Sequence, residues 1–391
     1  MITFDEALAR MQAAARPLPG ERVSFEAAVG RVLAEDVHSD VDMPPFNKSA
    51  MDGFACRRAD LPGPFAVVEE IPAGRLPQRA IGAFEAARIM TGAPVPQGAD
   101  CVLMIEDTVT DPDGRVRFTG ERSADNICAQ AEDVRIGETV LARGSLLGPA
   151  HLAVLASVGE IAVAVARKPR VAIIATGSEL VPASEKPHGA LIRNSNSPQL
   201  CAQAALAGAL PTYYGIVPDD PEATRATIRR ARDENDVVVL SGGVSAGDFD
   251  YVPAALADCG YRIIFDSVAM QPGRPTVFGE CDSGWCVGLP GNPVSTYVIF
   301  ELLLKPFIYR LMGHDFQPRW IAAELGEDIR RRNTKRQASL PVRFVEPGVV
   351  RQIDYHGSGH IAAMTQAEAL LILPVGCGEL KQGSRVHVRS F

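Results

Sequence analysis

Three uninterrupted apolar runs constrain this chain most: RVAIIAT at Arg170–Thr176, DVVVLS at Asp236–Ser241 and WCVGL at Trp285–Leu289. Each is short, and each passes into a glycine-bearing loop followed by helical sequence. Strands that are apolar on both faces are tenable only when helices cover both faces of their sheet. The middle of the chain therefore reads as an α/β layer structure, with ligands expected beyond the carboxyl ends of its strands.

The flanks have a different texture. Phe4, Ala7, Leu8 and Met11 recur at helical spacing and predict a helix over Phe4–Ala15, while Phe25, Val29, Val32 and Leu33 predict a second over Phe25–Glu35. From Val41 to about Val140 the sequence turns to short β-rich runs (PFAVVEEI, ARIM, CVLMIED, RVRFTG) broken by Gly, Pro and Asp, which suggests an all-β module. A helix-like stretch, Leu146–Val158, leads into the α/β segment. After about Met312 short strands return (IAAELGEDI, LPVRFVE, ALLILPV, SRVHVRS), and the basic run Arg330–Arg336 among them reads as a solvated hairpin tip. The expected fold class is thus multi-domain α/β plus β.

Composition excludes several functions. The formal net charge of -8 leaves no global basic field to attract nucleic acid, so an anionic ligand must be held by local groups or a bridging cation. The 8 cysteines form no CxxC pair and no dense framework, as expected of reduced thiols. The first twenty residues lack the basic start and apolar core of a signal peptide, and no run reaches the roughly 18 apolar residues that span a bilayer. The expectation is a cytoplasmic protein with no nucleic-acid and no membrane partner.

Several loops carry chemistry. After the first apolar run, Thr176, Gly177 and Ser178 form a turn able to aim N–H groups at an anion, with Glu179 following; a plain structural turn fits equally well. SGGVSAGDFDYV is richer: Gly242 and Gly243 permit close backbone approach, Ser245 offers a hydroxyl, and Asp248 and Asp250 are hard oxygen donors suited to Mg²⁺, although they would also serve as helix caps. In VPDDPEATRATIRRA, Asp219 and Asp220 precede Pro221 and a helix, so capping accounts for at least one of them. Pro290, Gly291, Asn292 and Pro293 make a stiff turn into a long apolar helix, and Arg274 between two prolines suits an oxyanion or simply faces solvent. In the β module, Ser49, Asp52 and Gly53 share one loop, with Thr91 and Gly92 in another. His356 and His360 in HGSGH lack the helical context of a zinc site.

Taken in order, PPFNKSAMDGFA, TGAPVPQGAD, NICAQAED, ATGSEL, SGGVSAGDFDYV, QPGRP and GLPGNPVS closely resemble the MoeA and gephyrin E-domain family over essentially the whole chain. The resemblance implies an elongated four-domain subunit. Its parts would be a linking domain (20–38 and 136–166), a β-barrel-like domain (39–135), a three-layer α/β molybdopterin-binding domain (1–19 and 167–312) and a C-terminal β-barrel domain (313–391). It implies a homodimer in which the β-barrel-like domain of one subunit faces the α/β domain of the other. It also implies the reaction: insertion of molybdate into adenylylated molybdopterin with Mg²⁺ and release of AMP. The upstream adenylyltransferase and the recipient molybdoenzymes are the further partners implied.

Carried over residue by residue, the resemblance makes Asp52, Asp133, Glu179, Asp220 and Asp250 catalytic, and Asp219, Asp220, Asp248 and Asp250 metal-holding. Substrate contacts fall to Ser49, Thr91, Thr176, Gly177, Ser178, Gly242, Gly243 and Ser245, together with Arg274, the Pro290–Pro293 turn and Ser358. Three positions depart from the family pattern: Asn47-Lys48 stands for Asp-Asn, Cys128 for an arginine, and Gln271 for a lysine. A non-catalytic scaffold, the adenylyltransferase of the same pathway, and tungstate in place of molybdate are the alternatives.

Overall fold

The computed structural model describes residues 1–244 and 252–391. At its centre a six-stranded sheet runs in the order Leu210–Val217, Arg170–Thr176, Val237–Ser241, Gly284–Leu289, Val277–Cys281, Arg262–Phe265. The first four strands are parallel and the last two antiparallel. All three apolar runs are therefore adjacent central strands. Alternate residues feed opposite layers: Val171 and Ile173 pack with Leu200, Val298 and Phe307, whereas Ala172 and Ile174 pack with Ile228, Ala231 and Leu256.

The chain leaves Arg170–Thr176 for the neighbour on one side, then crosses to Val237–Ser241 on the other. This reversal is a topological switch point, where a crevice opens at the strand ends. The sheet's opposite end is closed by ion pairing. The buried Asp236 carboxylate accepts from both terminal nitrogens of Arg167 (2.7 Å each) and from the Arg170 amide (2.7 Å). Gly284 must be glycine beside it, because a Cβ there would meet the Asp236 carbonyl oxygen at 2.2 Å.

The first helix, Phe4–Ala14, begins with a reciprocal capping box between Thr3 and Glu6 and packs Ala7 and Met11 on the central core. The second expected helix does not form. Phe25–Ala28 is a single 3-10 turn, Gly30 takes φ 73°, and Val32 and Leu33 make β-bridges to Leu146 and Val165. Val32 and Leu33 face different cores, a two-residue alternation that the helical spacing disguised. The helix-like stretch after Leu146 is a helix over Pro149–Ser157.

The β module contains a four-stranded sheet ordered Ala66–Ile71, Glu85–Ile89, Gly53–Cys56, Cys101–Met104. Near the C-terminus five strands close into a ring: Gln337–Glu346, Val349–Gln352, Trp320–Leu325, Arg385–Ser390 and Ala369–Leu373. The α/β unit adds Met270–Gln271 alongside the first of these, pairing with Gln337 and Ala338.

The long apolar helix after Pro293 is interrupted by a π-helical turn, Phe300–Leu304, just ahead of Pro306. Widening the helix there accommodates a residue with no N–H and a bulky ring. Buried Arg389, from the last strand, donates to the Glu301 carbonyl in that turn at 2.6 Å, and burial pushes its guanidinium down to about 10. All eight cysteines are free. No helix among the described residues is long and apolar enough to cross a membrane.

Burial works to raise the Asp236 carboxyl pKa, but the bonds from Arg167 and Arg170 outweigh it and hold the group below the usual range. Its contribution to stability is thus complete above the unfolded value of about 3.9 and disappears as pH falls through the lower folded value. Asp236→Asn should destabilise the α/β unit by about 3 kcal/mol at pH 7, the low end for a broken buried pair because Arg167 keeps some contact with water. Denaturant unfolding of both proteins from pH 7 to pH 3 should show that difference shrinking only below about pH 4.

Candidate functional site

The crevice at the switch point is built from two turns that nearly touch. Thr176 donates its hydroxyl to the Ser241 carbonyl at 3.3 Å. Gly242, at φ 104°, brings its backbone so close that a Cβ would lie 2.4 Å from the Thr176 carbonyl oxygen. Asn196 ties in a third segment: its amide nitrogen donates to the Ser241 hydroxyl (2.7 Å) and the Gly291 carbonyl (2.8 Å). The stiff turn is held from within, since Thr296 donates to the Pro290 and Asn292 carbonyls.

Two cavities flank the Pro290–Pro293 turn and meet at Asn292, which lines both. The larger, about 770 Å³, lies between the α/β unit and the C-terminal ring. Arg274, Gln271 and Asp266 contribute one wall, and Arg336, Ser339 and Ser358 the other. Among the described residues neither Arg274 nor Arg336 forms an ion pair. Two guanidinium groups with no ion-pair partner among the described residues, beside two serines, offer what a tetrahedral oxyanion or phosphate needs. The smaller cavity, about 500 Å³, is lined by Thr176, Glu179, Arg193, Asn194, Ser195 and Asn196.

The expected site residues are therefore partly gathered. Thr176, Glu179, Arg274, Ser358 and the Pro290–Pro293 turn converge on these cavities. Gly177 and Gly242 shape the turns behind them, at φ 146° and φ 104°, and Gly243 continues the second at φ 64°. Ser178 and Asp219 instead lock each other. The Ser178 amide donates to the Asp219 carboxylate and the Asp219 amide to the Ser178 hydroxyl, both at 3.0 Å, so the hydroxyl expected to touch substrate shapes a turn. Asp220 is the N-cap of Pro221–Glu234, accepting from the Ala223 amide at 2.7 Å. The described residues assemble no group of three His, Cys, Asp or Glu side chains fit for a metal. Ser245, Asp248 and Asp250 lie outside the described residues.

In the β module, Asp52 accepts from both the amide and the hydroxyl of Thr91 at 2.7 Å. The Thr91 amide, then its hydroxyl, hold the Asp52 carboxyl below the ordinary carboxylate range. Thr91 thus orients a carboxylate. Ser49, expected to contact substrate, is buried and donates to the Met51 carbonyl at 2.5 Å, which makes it a loop-shaping residue. Asp133 is exposed, with its amide bonded to the Met43 carbonyl at 3.0 Å. Neither Asp52 nor Asp133 lines either cavity.

Sequence reasoning missed Arg336, Asn194 and Asn196. Arg336 was absorbed into a supposedly solvated run, but Arg331 of that run folds back to donate to the Asn333 and Arg336 carbonyls, and Arg336 lines the cleft. The signal available was an arginine directly preceding a buried strand. Asn194 and Asn196 belong to NSNS, four small polar residues opening a helix.

Comparison with known proteins agrees with this architecture from end to end. Residues 2–159 match the MoeA N-terminal region (domain I and II), 172–310 the probable molybdopterin binding domain, and 322–391 the MoeA C-terminal region (domain IV). A molybdopterin molybdenumtransferase of Staphylococcus epidermidis is 36% identical over 400 residues, covering 99% of this chain and 95% of the relative. One from Bacillus subtilis is 36% identical over 408 residues, covering 99% and 93%. The crystal structure of the molybdopterin biosynthesis MoeA protein from Pyrococcus horikoshii superimposes with a TM-score of 0.87 at 29% identity, covering 100% of both chains. With three consecutive family regions and relatives of matching length, the chain belongs to the MoeA family of molybdopterin molybdenumtransferases.

Proposed function

We propose that this chain inserts molybdate into adenylylated molybdopterin, releasing AMP and yielding the molybdenum cofactor, as a cytoplasmic homodimer assisted by Mg²⁺. The observation that carries the reading is the pair of cations, Arg274 and Arg336, that have no ion-pair partner among the described residues and face one cleft from two different units of the fold. Molybdate and the phosphates of the substrate are anions, and in a protein of net charge -8 these are the local groups that offset them. Ser358 adds a hydroxyl at the same cleft.

The substrate's phosphoanhydride must be cleaved for AMP to leave, which builds negative charge on the departing phosphate. Fixed guanidinium groups stabilise such charge best when they need not reorganise. Carboxylate oxygens are the donors Mg²⁺ prefers. Asp219 and Asp220 each commit a carboxylate oxygen to a backbone N–H, and with Asp248 and Asp250 they would hold the ion, which when bound would neutralise phosphate charge. Asp52, oriented by Thr91, would reach this cleft from the partner subunit, with Asp133 beside it.

Purified protein given adenylylated molybdopterin, Mg²⁺ and molybdate should release AMP, with tungstate compared in parallel. Arg336→Met and Arg274→Met should each raise the molybdate concentration for half-maximal release about tenfold to a hundredfold, the value of one or two charge-assisted bonds. No release from a correctly folded dimer would move the assignment to a non-catalytic scaffold. Mixing Asp52→Ala subunits with Arg336→Ala subunits should restore about a quarter of wild-type activity, since half the dimers are mixed and each holds one intact site. Inactivity after verified subunit exchange would refute the shared cleft.

A further inference from the structure

The smaller cavity is unlike the cleft beside it. Arg193, at its edge, already spends its Nε on the Glu185 carbonyl at 2.8 Å. Asn196 is largely buried, and its amide orientation is fixed because the nitrogen serves both the Ser241 hydroxyl and the Gly291 carbonyl. Its Oδ1 is buried, with no partner among the described residues.

Glu179 is the acceptor a ligand can reach, being exposed at the cavity. Its carboxylate is folded back over Gly177, where a Cβ would lie 2.3 Å from Oε2 and 2.8 Å from Oε1. Only glycine permits that seat. No hydrogen bond or ion pair to another described residue occupies the carboxylate, although two free guanidinium groups stand in the adjoining cleft.

We propose that Glu179 reads the aminopyrimidinone edge of the substrate's pterin, accepting from its exocyclic amine and the adjacent ring N–H. This rests on the substrate reading above and departs from a catalytic role for Glu179. A carboxylate takes two parallel N–H donors with good geometry, and a pterin presents two side by side. Adenine presents one amine flanked by ring-nitrogen acceptors, which a carboxylate repels. The substrate is therefore oriented with its pterin at Glu179 in the smaller cavity and its phosphates across Asn292 at Arg274 and Arg336.

The probe is a hydroxymethyl pterin, whose fluorescence reports binding to the intact dimer, with AMP titrated separately. Wild type should bind the pterin at millimolar concentration or below, and Glu179→Gln, which exchanges one acceptor for a donor, should weaken it at least about tenfold. AMP affinity should be unchanged in that variant, and Arg336→Ala should leave pterin affinity unchanged. With the whole substrate, Glu179→Gln should raise KM while kcat stays near wild type. Absence of pterin binding by wild type, equal binding by Glu179→Gln, or a fall in kcat at constant KM would each overturn the assignment. Because wild-type AMP release is measured independently, an enzyme that releases AMP but ignores the pterin would sink this inference alone.

Discussion

The site depends on one backbone approach, the contact between the turn after Thr176 and the turn after Ser241. The two parent strands are adjacent and parallel, and the chain reverses direction across the sheet between them. Gly242 lets the second turn lie against the Thr176 carbonyl, where any side chain would collide at 2.4 Å. With the turns this close, the Pro290–Pro293 loop is drawn in through Asn196. A glycine in a left-handed conformation weakens the isolated chain, so its use here is a local cost accepted for proximity. Two cavities and their shared wall follow from that proximity.

The second wall of the larger cleft belongs to the C-terminal ring, and it is fixed to the first in three ways. Met270–Gln271 is paired in register with Gln337 and Ala338, which places Arg274 and Arg336 just beyond the two ends of one backbone ladder. The Val294 amide donates to the Ser358 carbonyl at 3.0 Å, seating the HGSGH loop on the start of the long helix. Buried Arg389 reaches the Glu301 carbonyl at 2.6 Å. Cations held on paired strands need no large rearrangement to meet an anion, which is the condition under which electrostatic stabilisation is strongest.

Much of this was legible in the sequence, for identifiable reasons. Continuous apolar runs such as RVAIIAT can only be central strands of a covered sheet, and the loops that follow them must lie at one edge. The failures share a cause. Phe25–Glu35 has helical spacing, but Gly30 and the opposite burial of Val32 and Leu33 reflect contacts with Leu146 and Val165, more than a hundred residues away. Arg336 sits in a run whose charge density suggested solvent, yet strand pairing with Met270–Gln271 brings it to the cleft. Ser178 and Asp219 have functional side-chain types but spend them on each other, a pairing across 41 positions that no local pattern encodes. Composition and periodicity report local and layer-level order; which polar group remains unpaired is decided only by tertiary contacts.

That last distinction governs how an acidic protein can hold a polyanion. Some arginines here are neutralised, Arg167 by Asp236, Arg225 by Glu222 and Asp258, and Arg330 by Glu379. Arg274 and Arg336 have no ion-pair partner among the described residues, and they face the same space. Across Asn292 the smaller cavity presents the Glu179 carboxylate, which has no partner among the described residues. Two guanidinium groups in one cavity and a carboxylate in the next suit a molecule with phosphate at one end and N–H donors at the other, and they fix that molecule's direction. The direction matters more than the affinity, because molybdenum must be delivered to the dithiolene, which lies between the pterin ring and the phosphate.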